Sequence, residues 1–175
     1  MIIEILKFAC EHLERNKIEY MLSGSVAMTI YAVPRFTRDI DIIVNLKKED
    51  IEKFISIFSE RFYLNKKTIE QEVAKKGMFN IIDNESCYKI DFIVKKENEF
   101  RDEEFRRKKY EKVFDFNAWM VSAEDLVISK LIWIQISQTE MQISDIRALL
   151  RNSSMDRKYI LEWTKKLQLS TFNLI

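Results

Sequence analysis

The chain reads as an α/β (α+β) fold: a mixed β-sheet flanked by helices and closed by a C-terminal helical cap. Three observations predict it. Short β-branched runs alternate with segments of helical spacing as far as residue 121. Two of those runs, Met78 to Ile82 and Tyr88 to Val94, flank the turn-forming Asp83-Asn84-Glu85-Ser86, which suits a hairpin. From Ser122 onward the pattern is mostly helical.

The elements follow in order. Ile5, Leu6, Phe8, Ala9 and Leu13 fall at helical spacing and predict a helix over 3–16. Ile18 to Leu22 is a short strand. Ser23-Gly24-Ser25 breaks it, and Val26 to Tyr31 resumes as a helix. Val33-Pro34-Arg35 interrupts again, and the dense β-branched run Ile40 to Val44 is a strand. Lys48 to Phe62 is helical, with Ile51, Phe54, Ile55 and Phe58 on one face. In residues 95–112 the pairs Glu103/Arg107 and Glu104/Lys108 stand four apart, as on a solvated helix. Val113 to Val121 is extended. Ser122 then opens a helix, with Asp125 standing in for the acidic partner of a capping box. Residues 140–150 and 156–168 are two further helices. A parallel strand pair linked by a helix is expected early and antiparallel pairing later. The expected division is a core over 1–121 and a helical segment over 122–175, packed as one compact unit.

Composition narrows the chemistry. Hydrophobic residues make up 47% of the chain, enough for a real core, and charged residues 33%. No apolar run approaches the roughly 18 residues that span a bilayer. The N-terminus lacks the layout of a signal peptide, so a cytoplasmic protein is expected. Cys10 and Cys87 are too few for a disulfide framework or a zinc site, and His12 is the sole histidine. Zinc and His-based nucleophilic catalysis are therefore set aside, and any metal must be held by oxygen ligands. The net charge of +1 makes no global demand for nucleic acid.

The carboxylates carry the functional reading. Side chains alternate along a strand, so Asp39 and Asp41 point the same way, with Ile40, Ile42 and Val44 behind them. Two such acids repel unless a cation neutralises them, and Mg²⁺ takes one or two carboxylates plus substrate phosphates. Asp91, between Ile90 and Phe92, costs desolvation unless it is paired or faces a cleft, and is a candidate third ligand. Gly24-Ser25 stands where a strand turns into a helix. There, glycine admits a phosphate and the helix start offers free amides. Each signal alone has an ordinary reading: a turn, a solvated strand end, an edge acid. Together, in this order, they match what triphosphate chemistry needs.

These residues resemble the signature of the DNA polymerase β-like nucleotidyltransferase superfamily. Leu22-Ser23-Gly24-Ser25 matches its strand-to-helix turn, Asp39-Ile40-Asp41 its D-x-D, and Asp91 its third acid. The more specific likeness is to bacterial abortive-infection-type (AbiEii-like) nucleotidyltransferase toxins and their uncharacterised relatives. Their R-x-[ST]-x-D-x-D is matched by Arg35-Phe36-Thr37-Arg38-Asp39-Ile40-Asp41. Their basic residue near a strand acid is matched by Lys89 and Asp91. The acid and lysine of their third motif fit Glu124-Asp125 through Lys130, and the acid of their fourth fits Asp145. The turn has one glycine where that type has two, and the fourth motif lacks the Arg-rich, double-Asp form, so a toxin is one option among several. The resemblance implies a nucleotidyltransferase core that moves a nucleoside monophosphate from an NTP to an acceptor hydroxyl. Asp39 and Asp41 bind Mg²⁺ (or Mn²⁺), Asp91 serves as metal ligand or base, and Lys130 contacts the nucleotide. Asp145 orients that lysine or the acceptor, while Gly24, Ser25, Arg35, Thr37 and Lys89 surround the nucleotide. RNA or tRNA, a protein or a small molecule is the implied acceptor, a cognate antitoxin a possible partner, and a membrane is not. The alternative is an inactive nucleotide- or partner-binding module of the same fold.

Bland readings stand beside these. Lys130 is an ordinary surface lysine, and Asp145 pairs with Arg147 or Arg151. Arg106-Arg107-Lys108-Lys109 is a solvated helix face rather than an RNA contact. Trp119, Trp133 and Trp163 pack between the cap helices and the sheet, with base stacking as the alternative.

Overall fold

The structure is a computed structural model that describes residues 2–32 and 39–175. The chain runs α1 (Ile2–Arg15), β1 (Tyr20–Leu22), α2 (Gly24–Tyr31), β2 (Asp39–Val44), a 3₁₀ turn (Lys48–Asp50), α3 (Ile51–Phe58), β3 (Phe62–Tyr63) and α4 (Lys66–Ala74). It continues through β4 (Met78–Asp83), β5 (Lys89–Val94), α5 (Glu99–Arg106), β6 (Lys109–Val113) and β7 (Phe116–Met120). It ends with α6 (Ala123–Ile134), α7 (Glu140–Leu150) and α8 (Arg157–Lys166). The strands form one mixed sheet in the order β3-β4-β5-β2-β1-β7-β6.

Strand direction differs from expectation. β1 and β2 pair antiparallel, and the parallel pairs are β2 with β5 and β1 with β7. A helix after a strand need not make a crossover. α2 spans about 10 Å at 1.5 Å per residue, and the chain then returns to its start, where the Ser25 hydroxyl donates to the Asp39 carbonyl at 2.9 Å. β2 thus begins beside the end of β1 and runs back along it.

Two elements carried weak sequence signals. β3 is two residues long, and α4 buries only Ile69 and Val73. The expected helix over Lys48 to Phe62 ends at Phe58, and the one expected within 95–112 ends at Arg106, with Lys109–Val113 forming strand β6. The stretch expected to be extended from Val113 to Val121 supplies the turn and second strand of a β6–β7 hairpin.

The core explains why β2 and β5 hold their register. Ile40, Ile42 and Val44 stand opposite Ile90, Phe92 and Val94, all buried. Phe92 meets Phe54 and Phe58 of α3 at centroid distances of 5.0 and 5.7 Å and stacks on Phe79 of β4. Each such side chain contributes about 1.5–3 kcal/mol on burial. Alternation then places Asp39, Asp41, Lys89 and Asp91 together on the opposite face. Among the described residues no helix is long and apolar enough to cross a membrane.

Candidate active site

Asp41 and Asp91 are direct partners in the parallel pairing, two residues in from Asp39 and Lys89 and on the same face. Two carboxylates about 5 Å apart repel by about 3 kcal/mol at an effective dielectric near 20. The apolar pairs behind them outweigh that. Lys89 relieves part of it, placing Nζ 2.8 Å from Asp91 Oδ2 and 3.8 Å from Asp39 Oδ1. Its hydrogen bond to Asp91, reinforced by the charges of Asp91, Asp39 and Asp41, raises the Lys89 ammonium pKa and keeps it charged.

Asp41 sits against the start of α2. Gly24 has φ +53°, and a Cβ there would lie 2.6 Å from Asp41 Cγ. Only glycine meets both conditions, a left-handed turn and the close approach of a carboxylate. The Ser25 amide donates to Asp41 Oδ2 at 3.4 Å, so the acid caps the positive end of the helix dipole. Burial nevertheless pushes the Asp41 carboxyl above its ordinary value. Asp91 and Asp39 add to the rise, against the lowering effects of the Ser25 amide and Lys130. The Ser25 hydroxyl ties down β2 through the Asp39 carbonyl.

Lys130, on α6, donates to Asp145 Oδ2 of α7 at 2.8 Å, and both side chains are nearly buried, at 11% and 9% exposure. The bland surface reading of this lysine and the Asp145–Arg pairing are thereby corrected: α6 and α7 pack face to face and enclose the pair. Glu124 and Asp125 lie elsewhere. Arg107 Nε donates to Asp125 at 3.0 Å with its guanidinium 3.9 Å over the Tyr159 ring, and the Tyr159 hydroxyl donates to Asp125 at 2.6 Å. Arg107 therefore leaves the expected pair with Glu103, which holds Arg106. Glu104, expected to meet Lys108 on a wet face, is buried against Arg101 and Ser129. The reason is local: α5 ends at Arg106, so the next basic residues leave its surface. One long-range contact left no mark in the sequence. The Tyr31 hydroxyl donates to the Val121 carbonyl at 2.9 Å and pins the end of α2 to the start of α6.

Arg35 and Thr37 lie outside the described residues. His12 is remote in role, donating from Nδ1 to the Phe8 carbonyl at 2.8 Å and stacking on Phe8.

The fit to a divalent cation can be tested on the donors. Among the described residues no three acidic, histidine or cysteine groups lie close enough together to hold a metal ion. A preformed three-carboxylate cluster is therefore not assembled, because Lys89 engages both Asp39 and Asp91. Two features do fit. Asp91 Oδ1 is buried with no hydrogen-bond partner among the described residues, and it belongs to the acid beside Asp41. Two carboxylates supplemented by substrate phosphates are the ordinary protein share of a Mg²⁺ site.

No family model matches the chain, and no curated protein matches it. Solved structures do. The antibiotic-resistance factor ANT(2'')-Ia superimposes with a TM-score of 0.64 at 10% identity, over 95% of this chain and 90% of that one. The lincosamide antibiotic adenylyltransferase LnuA, solved with lincomycin bound, gives 0.53 at 14% identity over 82% and 93%. A putative nucleotidyltransferase from Thermotoga maritima gives 0.54 at 15% identity over 80% and 89%. The chain has the nucleotidyltransferase-like fold that these proteins share.

Proposed function

We propose that this chain is a metal-dependent nucleotidyltransferase that transfers a nucleoside monophosphate from an NTP to an acceptor hydroxyl. The observation that carries the reading is the pairing of Asp41 with Asp91, whose buried Oδ1 has no hydrogen-bond partner among the described residues, beside a glycine turn that opens α2. Gly24 and the first amides of α2 receive the outer phosphates. Lys130, oriented by Asp145, directs its charge at the same corner. Asp91 takes the proton of the acceptor hydroxyl as its oxygen bonds to the α-phosphorus. The bond from that phosphorus to the bridging oxygen breaks, and pyrophosphate leaves. Asp41 and Asp91 would hold Mg²⁺ or Mn²⁺, joined by Asp39 once it leaves Lys89. When bound, the ion neutralises phosphate charge and acidifies the hydroxyl. The helices from residue 122 onward complete the site through Lys130 and Asp145.

The acceptor is RNA or tRNA, a protein, or a small molecule. Antibiotic adenylyltransferases of this fold make the last worth including, and the Arg35–Asp41 motif makes a toxin with a cognate antitoxin worth testing. The test is incubation with each labelled NTP, Mg²⁺, total RNA, cell extract and an aminoglycoside panel. Label is expected in one fraction and is lost in Asp39→Ala/Asp41→Ala while that protein stays folded. Unchanged labelling in the double variant would refute the site.

A second reading, a nucleotide- or partner-binding module without turnover, draws on Lys89, whose ammonium already serves as counter-ion to Asp39 and Asp91. Calorimetry with NTP and Mg²⁺ beside a turnover assay separates the two, since binding without turnover favours the module.

A further inference from the structure

Trp133 does not pack as its sequence suggested. Trp119 lies against Tyr110 and Trp163 against Phe100. Trp133 is 55% exposed and has no aromatic or cationic neighbour among the described residues. On the other helix of the α6–α7 pair, Met141 is 58% exposed.

Their place relative to the carboxylates follows from the helices. α6 and α7 are joined by residues 135–139 and cross-linked by Lys130 and Asp145, so they run antiparallel. Trp133 is three residues after Lys130 and Met141 four before Asp145, each one turn farther along the same helix face. Tyr31 and Val121 fix the level of α2 against α6 at one end. Gly24 lies seven residues before Tyr31 and Lys130 seven after Ala123, so along the packed α2 and α6 each stands about 10 Å from that junction, at 1.5 Å per residue. One further turn, about 5 Å, carries Trp133 and Met141 past the start of α2.

We propose that Trp133 and Met141 form the platform on which the nucleobase of the NTP stacks. The inference rests on the nucleotidyltransferase reading above. β2 divides the site: Asp91 on β5 serves the acceptor on one side, and Lys130 on α6 faces the nucleotide on the other. The rung beyond Lys130 therefore belongs to the nucleotide. Its chemistry suits a neutral heterocycle. From Leu131 to Ile143 the only charged residue is Glu140, with Gln135, Gln138 and Gln142 interspersed, in a chain that is 33% charged. A polyanionic acceptor would find no basic residue there, whereas a flat ring finds an indole and a thioether.

The test titrates wild type, Trp133→Leu and Trp133→Phe with ATP, GTP, CTP and UTP in Mg²⁺, and with inorganic tripolyphosphate, by calorimetry and tryptophan emission. Trp133→Leu is expected to bind its best NTP about tenfold more weakly, and Trp133→Phe to recover most of that. Tripolyphosphate binds all three alike, and NTP quenches emission only where Trp133 is present. Equal NTP affinity in wild type and Trp133→Leu overturns the platform alone. A matching loss of tripolyphosphate affinity also overturns it, because the defect would then lie in the phosphate corner. Wild type that binds neither NTP nor tripolyphosphate overturns the nucleotidyltransferase reading and the platform together.

Discussion

Asp91 keeps one buried carboxylate oxygen without a hydrogen-bond partner among the described residues, and it stands directly opposite Asp41 in the parallel pairing of β2 and β5. A folded protein rarely leaves such an atom bare. An acid pressed against a second acid, with an oxygen to spare, is a position that a cation lowers in energy.

Mg²⁺ or Mn²⁺ with NTP is accordingly expected to raise the melting temperature. At a hundredfold excess over Kd the gain is about 2.7 kcal/mol, or about 5–10 °C for a chain of this size. Asp41→Asn and Asp91→Asn should each lose most of it. A wild-type melt indifferent to the ion and nucleotide would remove the metal site from consideration.

Without metal, Asp41 is expected to cost stability. Its folded pKa is raised above 3.8, chiefly by burial and then by Asp91 and Asp39. Such a group holds more protons folded than unfolded, so stability falls as pH climbs through the interval above 3.8 and stays reduced at neutral pH. Asp41→Asn should therefore melt above wild type at pH 7 in chelator while being inactive. The gap should close as pH is lowered toward the ordinary carboxylate range. A lower melting temperature for the variant at pH 7 would contradict this.

The acids were legible in the sequence because a strand has period two: Asp39-Ile40-Asp41 and Ile90-Asp91-Phe92 declare their faces locally. What these acids meet was not legible. Lys89 reaches Asp39 only because β2 and β5 pair in one register, a property of the whole sheet. The antiparallel β1–β2 pair depends on how far the chain returns after α2, which periodicity does not encode. Glu104 looked like a surface acid because its partner Ser129 is 25 residues away. Trp133 looked like a core residue because hydrophobicity cannot distinguish a face that packs from one left open.

Gly24→Ala is expected to damage function more than fold. The left-handed φ and the approach to Asp41 together cost about 1–3 kcal/mol. The displaced acid should reduce turnover by at least about tenfold, read from NTP labelling at a temperature where both proteins remain folded. Wild-type turnover would show that Asp41 need not rest against the turn.

Lys130 and Asp145 lend themselves to a double-mutant cycle. Lys130→Met removes a charged hydrogen bond to a nearly buried carboxylate and should cost about 1–3 kcal/mol. Adding Asp145→Asn should restore much of that stability and none of the activity. Activity that returns with stability would make the pair structural only.

The run Arg106-Arg107-Lys108-Lys109 separates into unlike residues, which substitution should expose. Arg106 is exposed on Glu103, a pair worth little in water. Arg107 lies over Tyr159 and neutralises Asp125, which is fully buried between α6 and α8. Arg106→Met should change stability by less than about 0.5 kcal/mol. Arg107→Met strands the Asp125 charge and should cost about 3 kcal/mol, a clear drop in denaturation midpoint. Adding Asp125→Asn should recover part of the loss, because the burden is the unpaired charge and not the missing side chain. If both arginine variants unfolded alike, Asp125 would be satisfied by Ser122 and Tyr159 alone, and α8 would need another anchor.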